Sequence, residues 1–334
     1  AFTDISRYAN APLPDQVIQQ IVDRLVDCPH RTDEAHGLLA LFGWLGGIYM
    51  FHIFKLPPSV SIVLGVFFAI LTGALMALLH AMLSITFKVD QIIGGTVINI
   101  LAIGLTGFLN RQLFFGATSV FKGSVPSSPG VLPTIHIPIT EIFSSACGSS
   151  AVCLENIQAI NRVFDQKPIA LSAIILVFLS HYILFNTRWG LRTRAVGEHP
   201  KAADTVGINV SFMRYANVLI GGMFAGLAGA YFTIESVPSF EPLLTNGRGF
   251  ISLAAMIFGN WTPIGAWAAS LVFGASQALL INMQIFRDVI PPQWSFLQES
   301  YIVGLTPYIL TMFILTGIIG KTTSPAADGV PYEK

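Results

Sequence analysis

Eight apolar runs, cut apart by polar intervals, dominate this chain of 334 residues and leave it few architectures to adopt. They extend over Gly37–Phe54, Ser59–Phe87, Ile92–Leu109, Pro168–Phe185, Tyr215–Ile234, Gly249–Gly259, Pro263–Met283 and Tyr301–Ile319. A run of about 18 or more apolar residues has the length of a helix that crosses a hydrocarbon core of ~30 Å. Only 11% of the residues are charged, against about 25% in soluble domains. The expected fold class is therefore all-α, a polytopic transmembrane helical bundle. Residues 1–36 form a polar segment, 37–320 the transmembrane domain and 321–334 a polar, flexible tail.

The runs differ in what they predict. Val17, Ile18, Ile21, Val22 and Leu25 repeat at helical spacing, which predicts an amphipathic helix ahead of the first run. Ser59–Phe87 is long enough to cross with tilt or to contain a break. Lys88 and Asp90 mark a tight polar turn after it. Gly222, Gly226 and Gly229 in the fifth run permit close helix contact. Gly249–Gly259 holds about a dozen residues, too few for a span, and predicts a broken or half helix at membrane depth in the C-terminal half. The long interval 115–167, rich in Pro, Ser and Gly, predicts a lid or docking surface. In it Cys147 and Cys153 stand with five residues between them, and either a disulfide or two free thiols fits. The chain opens on Ala1 with no secretory signal pattern, which predicts a trimmed start.

Several function classes are excluded. A net charge of zero implies no nucleic-acid partner. No clustered acids, His–carboxylate pairing or metal-ligand spacing is visible, so neither a catalytic site nor a metal site is expected. Gly320-Lys321-Thr322 mimics the end of a phosphate-binding loop, but the position five before Gly320 is Leu315 and no strand precedes it. The chain is thus expected to bind no ATP or Mg itself. His80 and His181 fall inside apolar runs, where packing is the simpler role. A proton- or sodium-driven carrier needs intramembrane carboxylates, and the nearest is Glu235 at the end of a span.

Polar groups inside the runs are the candidates for a solute path, because an unsatisfied polar group in lipid costs energy. Asn99 and Thr106, seven apart, share one helix face; Arg248, Phe250, Ser252 and Asn260 belong to the short segment and Gln277 to the next run. Such groups offer weak, replaceable hydrogen bonds and an aromatic face to a neutral solute.

The interval from Arg188 to Arg214 stands apart. It carries five basic residues, Arg188, Arg192, Arg194, Lys201 and Arg214. Pro200 sits where a short helix would start and Gly207 where it would stop. If this interval, the N-terminus, the Lys88 turn and the tail share one side, that side holds eleven of the eighteen Lys and Arg residues. The positive-inside rule then makes it cytoplasmic, with 115–167 outside.

The string R-A-V-G-E-H-P-K-A-A-D-T-V-G-I-N-V within this interval resembles the cytoplasmic coupling loop of bacterial ABC importer permeases of the branched-chain amino acid/simple sugar group. Among them it is closest to permeases that work with a Bmp-type lipoprotein and carry nucleosides. G-R-G-F-I-S-L-A-A-M-I-F-G-N-W-T-P-I-G-A, Q-I-I-G-G-T-V-I-N-I-L-A-I-G-L-T and the tail P-A-A-D-G-V-P-Y-E-K resemble the same family, over roughly residues 58–334. The N-I-G-x-E-G-like motif with which such permeases begin is absent from the earlier part.

The resemblance implies a type II importer permease in a bacterial cytoplasmic (inner) membrane, with a cytoplasmic C-terminus. Its partners would be a second permease subunit in a heterodimer, ABC ATPase subunits that bind ATP and Mg, and an extracellular solute-binding lipoprotein. It implies ATPase coupling by Ala195, Val196, Gly197, Glu198, His199, Pro200, Lys201, Ala202, Ala203, Asp204 and Gly207. Arg192 and Arg194 would anchor the loop at lipid headgroups. Simple sugars and branched-chain amino acids are the other cargoes of the group, and the lack of a charged pocket for an amino-acid carboxylate favours a neutral solute. From another class, a self-sufficient secondary transporter or channel would move solute with no ATPase.

Overall fold

The computed structural model describes residues 43, 45–48, 51, 52, 54–115, 132, 133, 167–236, 240, 248–282, 325–327 and 329–333. The expected N-terminal amphipathic helix, Cys147, Cys153, the run Tyr301–Ile319 and the start of the tail at Lys321 lie outside the described residues. Within them the chain is helical, with no strand.

Helix α1, Pro58–Ala81, opens on a proline whose missing N–H costs nothing at the first turn, and it continues as a π-helical turn over Met82–Thr86. The second run is therefore one continuous span. Lys88 then takes φ 54, the left-handed conformation the tight turn requires. Helix α2, Gln91–Asn110, follows, with Asp90 Oδ1 accepting from the Ile93 N–H at 3.2 Å. Helix α3 covers Pro168–Asn186, α4 Arg188–Glu198, α5 Pro200–Thr205 and α6 Val210–Ala230, with a π-helical turn, Tyr231–Ser236, ending α6. Helices α7, Arg248–Phe258, and α8, Pro263–Asn282, complete the described set.

Among the described residues, four segments are long and apolar enough to cross a membrane: Pro58–Thr86, Ile93–Leu113, Pro168–Asn186 and Val210–Ser236. Helix α7 has 11 residues, about 16 Å at 1.5 Å per residue, roughly half the hydrocarbon thickness. This is the half helix the short sixth run predicts. It ends in a Schellman motif: the Trp261 N–H reaches the Met256 carbonyl and the Asn260 N–H the Ile257 carbonyl, both at 3.1 Å. Asn260 occupies the left-handed position there with φ 52, a conformation Asn tolerates. The chain then doubles back, and α8 packs on both α7 and α3.

The centre of the bundle is the α1–α6 pair. A methyl added to Gly73 would meet the Gly222 carbonyl and come within 3.0 Å of the Gly226 Cα, and one added to Gly226 would come within 2.8 Å of the Ile70 Cα. The small residues let the two backbones approach closely, as Gly222 and Gly226 predict. Ile62, Ala69, Ile169, Ala230 and Ile234 fill the adjoining core. The opposite face of α1 shows Val63, Phe67, Leu71 and Leu75 exposed at a four-residue spacing, a stripe suited to lipid. Helical residues 45–48 of the first run lie on the inner face, with Leu45 and Ile48 buried.

Candidate functional site

At one end of the bundle the polar interval folds into two helices where the sequence predicts one. Thr187 caps α4, its Oγ1 accepting from the Gly190 N–H at 3.3 Å. The helix stops at Glu198 because Pro200 bars the helical conformation at the residue before it. His199 accordingly takes φ −136 and ψ 80, ending α4 and starting α5. Pro200 is the first residue of α5, as predicted. Gly207 ends it with φ 84: its N–H reaches the Asp204 carbonyl at 2.9 Å and the Ile208 N–H the Ala203 carbonyl at 3.1 Å. Asn209 then caps α6 by accepting from the Phe212 N–H at 2.9 Å.

An apolar cluster joins the parts of this elbow. Val196, Ala203, Val210 and Met213 are buried together, with Trp189, Ala195, Ile208 and Tyr332 packed against them. Trp189 Nε1 donates to Asn217 Oδ1 at 3.2 Å, and Asn217 Nδ2 donates to Thr193 Oγ1 at 3.2 Å, tying α4 to α6. Tyr215 and Thr86 share a hydrogen bond that joins the start of α6 to the end of the α1 span. The guanidinium of Arg194 lies 5.0 Å from the Phe185 ring centroid, and Arg192 is exposed.

The residues named for coupling divide by exposure. Glu198, His199, Lys201, Ala202 and Gly207 are exposed; Val196 and Ala203 are buried; Ala195, Gly197, Pro200 and Asp204 lie between. Val206, inside the motif but not among the residues named for coupling, is the most open of the large apolar side chains here, 74% exposed. The elbow thus exposes charged residues of α4 and α5 beside the apolar side chain of Val206.

The described residues of the tail, 325–327 and 329–333, are docked, where the sequence predicts a flexible segment. The Ala327 N–H reaches the Gly197 carbonyl at 2.9 Å, and Arg214 Nη1 donates to the Val330 carbonyl at 2.9 Å. Tyr332 bonds the Asp204 carboxylate; burial first, and then this bond, raises its hydroxyl pKa above the ordinary tyrosine value. Lys88 Nζ stands 2.9 Å from Glu333 Oε1 and, through that hydrogen bond, holds the Glu333 carboxyl below the ordinary glutamate value. Sequence reasoning missed these partners because they pair positions more than a hundred residues apart. The one available signal was the P-Y-E-K string itself.

The path candidates fall on separate helices. Asn99 and Thr106 are both buried on one face of α2, which packs on α1, and among the described residues Thr106 Oγ1 has no hydrogen-bond partner. Arg248 at the start of α7 lies 4.9 Å from the Phe232 ring centroid, and Ser252 Oγ donates to the Gly249 carbonyl at 2.5 Å. Phe250 is on α7, Asn260 in its C-terminal cap and Gln277 half-buried on α8. Glu235 is 1% exposed and has structural work: its two carboxylate oxygens accept the Ile169 and Ala170 N–H groups at 2.7 and 3.0 Å, satisfying the first turn of α3. His181 packs on Phe185, ring centroids 4.7 Å apart. Among the described residues no three His, Cys, Asp or Glu side chains are grouped for a metal ion.

The comparisons with known proteins agree with this architecture. The chain is 40% identical over 271 residues to the guanosine ABC transporter permease protein NupQ of Bacillus subtilis (strain 168), covering 80% of this chain and 76% of that one. It is 37% identical over 273 residues to the nucleoside ABC transporter permease protein NupC of Lactococcus lactis subsp. cremoris (strain MG1363), covering 81% and 78%. It is 31% identical over 272 residues to the putative glucose ABC transporter permease protein TsgC13 of Haloferax volcanii, covering 78% and 76%. No solved structure matches the chain significantly. The model of one family, described as branched-chain amino acid transport system / permease component, matches residues 34–320, which takes in the first apolar run as well as the helices above. A match of that extent settles the family: the chain belongs to the permease family of that description.

Proposed function

We propose that this chain forms the translocation path of an ATP-binding cassette importer for nucleosides and is driven by a separate ATPase. The observation that carries the cargo is the 40% and 37% identity, over about four fifths of the chain, to two permeases whose names state guanosine and nucleosides. The glucose relative at 31% makes a simple sugar the second reading. ATP and Mg are bound by the partner ATPase, a second permease completes the membrane part, and a lipoprotein outside delivers the solute.

The elbow is the coupling surface. Arg188, Arg192 and Arg194 lie on α4, Lys201 on α5 and Arg214 near the start of α6, while Lys88 meets Glu333 of the docked segment, and the positive-inside rule makes that end of the bundle cytoplasmic. A push on α5 passes through the Val196–Ala203–Val210–Met213 cluster into the start of α6. From there the glycine contact with α1 carries it to the membrane centre, where α1 and α6 have no soft layer between them. Asn99 and Thr106 on α2, Arg248, Phe250 and Ser252 on α7, Asn260 in its cap and Gln277 on α8 remain the residues proposed for the path.

The test replaces exposed residues, so that folding is untouched: Lys201→Glu with Val206→Asp, in the complete complex in proteoliposomes. Guanosine-stimulated ATP hydrolysis is expected to fall by about tenfold or more, within the range of a coupling free energy of 1–3 kcal/mol, with lipoprotein binding retained. Unchanged hydrolysis removes the coupling assignment. Uptake of labelled glucose in preference to guanosine by the unaltered complex moves the cargo to the second reading.

A further inference from the structure

We propose that the C-terminal segment from Pro325 to Glu333 is a brace that ties α5 to the turn between α1 and α2, so that force received at the elbow reaches the first hairpin directly. The proposal rests on the coupling role given to the elbow above.

Four attachments follow one another along the segment. Pro325 and Ala327 lie on the end of α4: the Ala327 N–H donates to the Gly197 carbonyl at 2.9 Å and the Ala326 N–H to Glu198 Oε2 at 3.4 Å. The Val330 carbonyl accepts from Arg214 on α6 at 2.9 Å. Tyr332 lays its ring on the cluster formed by Val196, Ala203, Val210 and Met213 and gives its hydroxyl to Asp204 on α5. Glu333 reaches Lys88 in the α1–α2 turn. The described residues of the segment are thus held at four successive points, with a turn between them in which the Val330 N–H reaches the Ala327 carbonyl at 3.3 Å.

The geometry at each end suits transmission. Lys88 holds the left-handed position, φ 54, of the turn that directly follows the last turn of the α1 span. Asp204 is in the last turn of α5, next to the glycine-capped end. Among the described residues α5 packs on α4 and α6, so the segment adds a connection to the α1–α2 turn beside the route through α6. Each single contact at this wet surface is weak; their function lies in fixing one relative position of two elements.

The experiment uses the complete complex in proteoliposomes and reads tritiated guanosine taken up per ATP hydrolysed, with hydrolysis in the absence of guanosine as a separate readout. Tyr332→Ala and Glu333→Lys are expected to lower uptake per ATP by about fivefold or more, the lower end of an ordinary coupling effect, with basal hydrolysis kept. Lys88→Glu combined with Glu333→Lys restores the opposite charges and is expected to recover most of the loss, which a merely destabilised protein would not do. Unchanged uptake per ATP in both single variants overturns the brace. So does a rise in hydrolysis and uptake together, which would make the segment an inhibitory strap. An unaltered complex whose hydrolysis ignores guanosine instead refutes the functional reading on which the brace depends.

Discussion

Helix α6 is held in two different ways along its length. In the membrane it meets α1 through Gly222, Gly226 and Gly73, with backbones in near contact. At its first turn it is held by a side-chain cap from Asn209, a four-residue apolar cluster and the docked tail. The difference follows from the solvent. Lipid is as apolar as Leu, so burying Leu against Leu gains little there, and helices associate through close van der Waals contact that only small residues permit. At the aqueous end the removal of apolar surface from water drives the same helix onto Val196, Ala203 and Tyr332.

The comparison breaks most severely at the glycine seam. Gly226→Leu places a branched side chain where even a methyl would meet the Ala69 carbonyl and the Ile70 Cα. The expected cost is about 3 kcal/mol or more, at the upper end for overpacking, since backbone cannot yield as a side chain can. The yield of monodisperse protein after detergent extraction checks it; a normal yield with normal uptake would refute the close approach of α1 and α6.

A smaller loss tests the far end of α6, where a polar group is buried in the apolar region. Glu235→Ala leaves the N–H groups of Ile169 and Ala170 without their acceptor and is expected to cost about 1–3 kcal/mol. Glu235→Gln, which keeps one carbonyl acceptor, is expected to retain part of this. Thermal inactivation of the purified complex ranks the three proteins, and an Ala variant as stable as the original would deny Glu235 its capping role.

The mildest effect is expected at the tail, and it depends on pH. Glu333 titrates below its ordinary value of 4.5 in the folded state, so its contribution to docking is present above that value and is lost as pH falls through the depressed one. Tyr332 titrates above its ordinary value of 10.0, so its contribution is present below that value and is lost as pH rises through the raised one. A nitroxide at position 330 should therefore be immobilised between the two windows and become mobile beyond either. Equal mobility at neutral pH and below both glutamate values would remove the Lys88–Glu333 contact from the account.

Much of this fold is legible without coordinates. An apolar span after Pro57, a tight turn at Lys88, the α5 boundaries at Pro200 and Gly207 and a half helix near Gly249–Gly259 all follow from residue-by-residue rules for apolar length, polar breaks, proline and glycine, whereas the left-handed conformation of Lys88 does not. Helix α4 was not read, because its five polar and charged positions look like loop until Trp189 and Val196 are seen to face α6. Asn260 was read as a path group, and the structure gives its backbone a capping role that the string F-G-N-W alone conceals.

By itself, then, the sequence determined what is local: which segments enter lipid, where each helix must begin and stop, and that small residues line one face of α6. The tertiary structure decided the pairings across long stretches of chain, in which Glu235 serves the start of α3, Tyr332 completes the elbow and Glu333 reaches Lys88. The reason is physical. Helix boundaries depend on backbone terms that act within a turn or two, whereas each long-range contact depends on where folded helices happen to bring side chains that carry no local preference for one another.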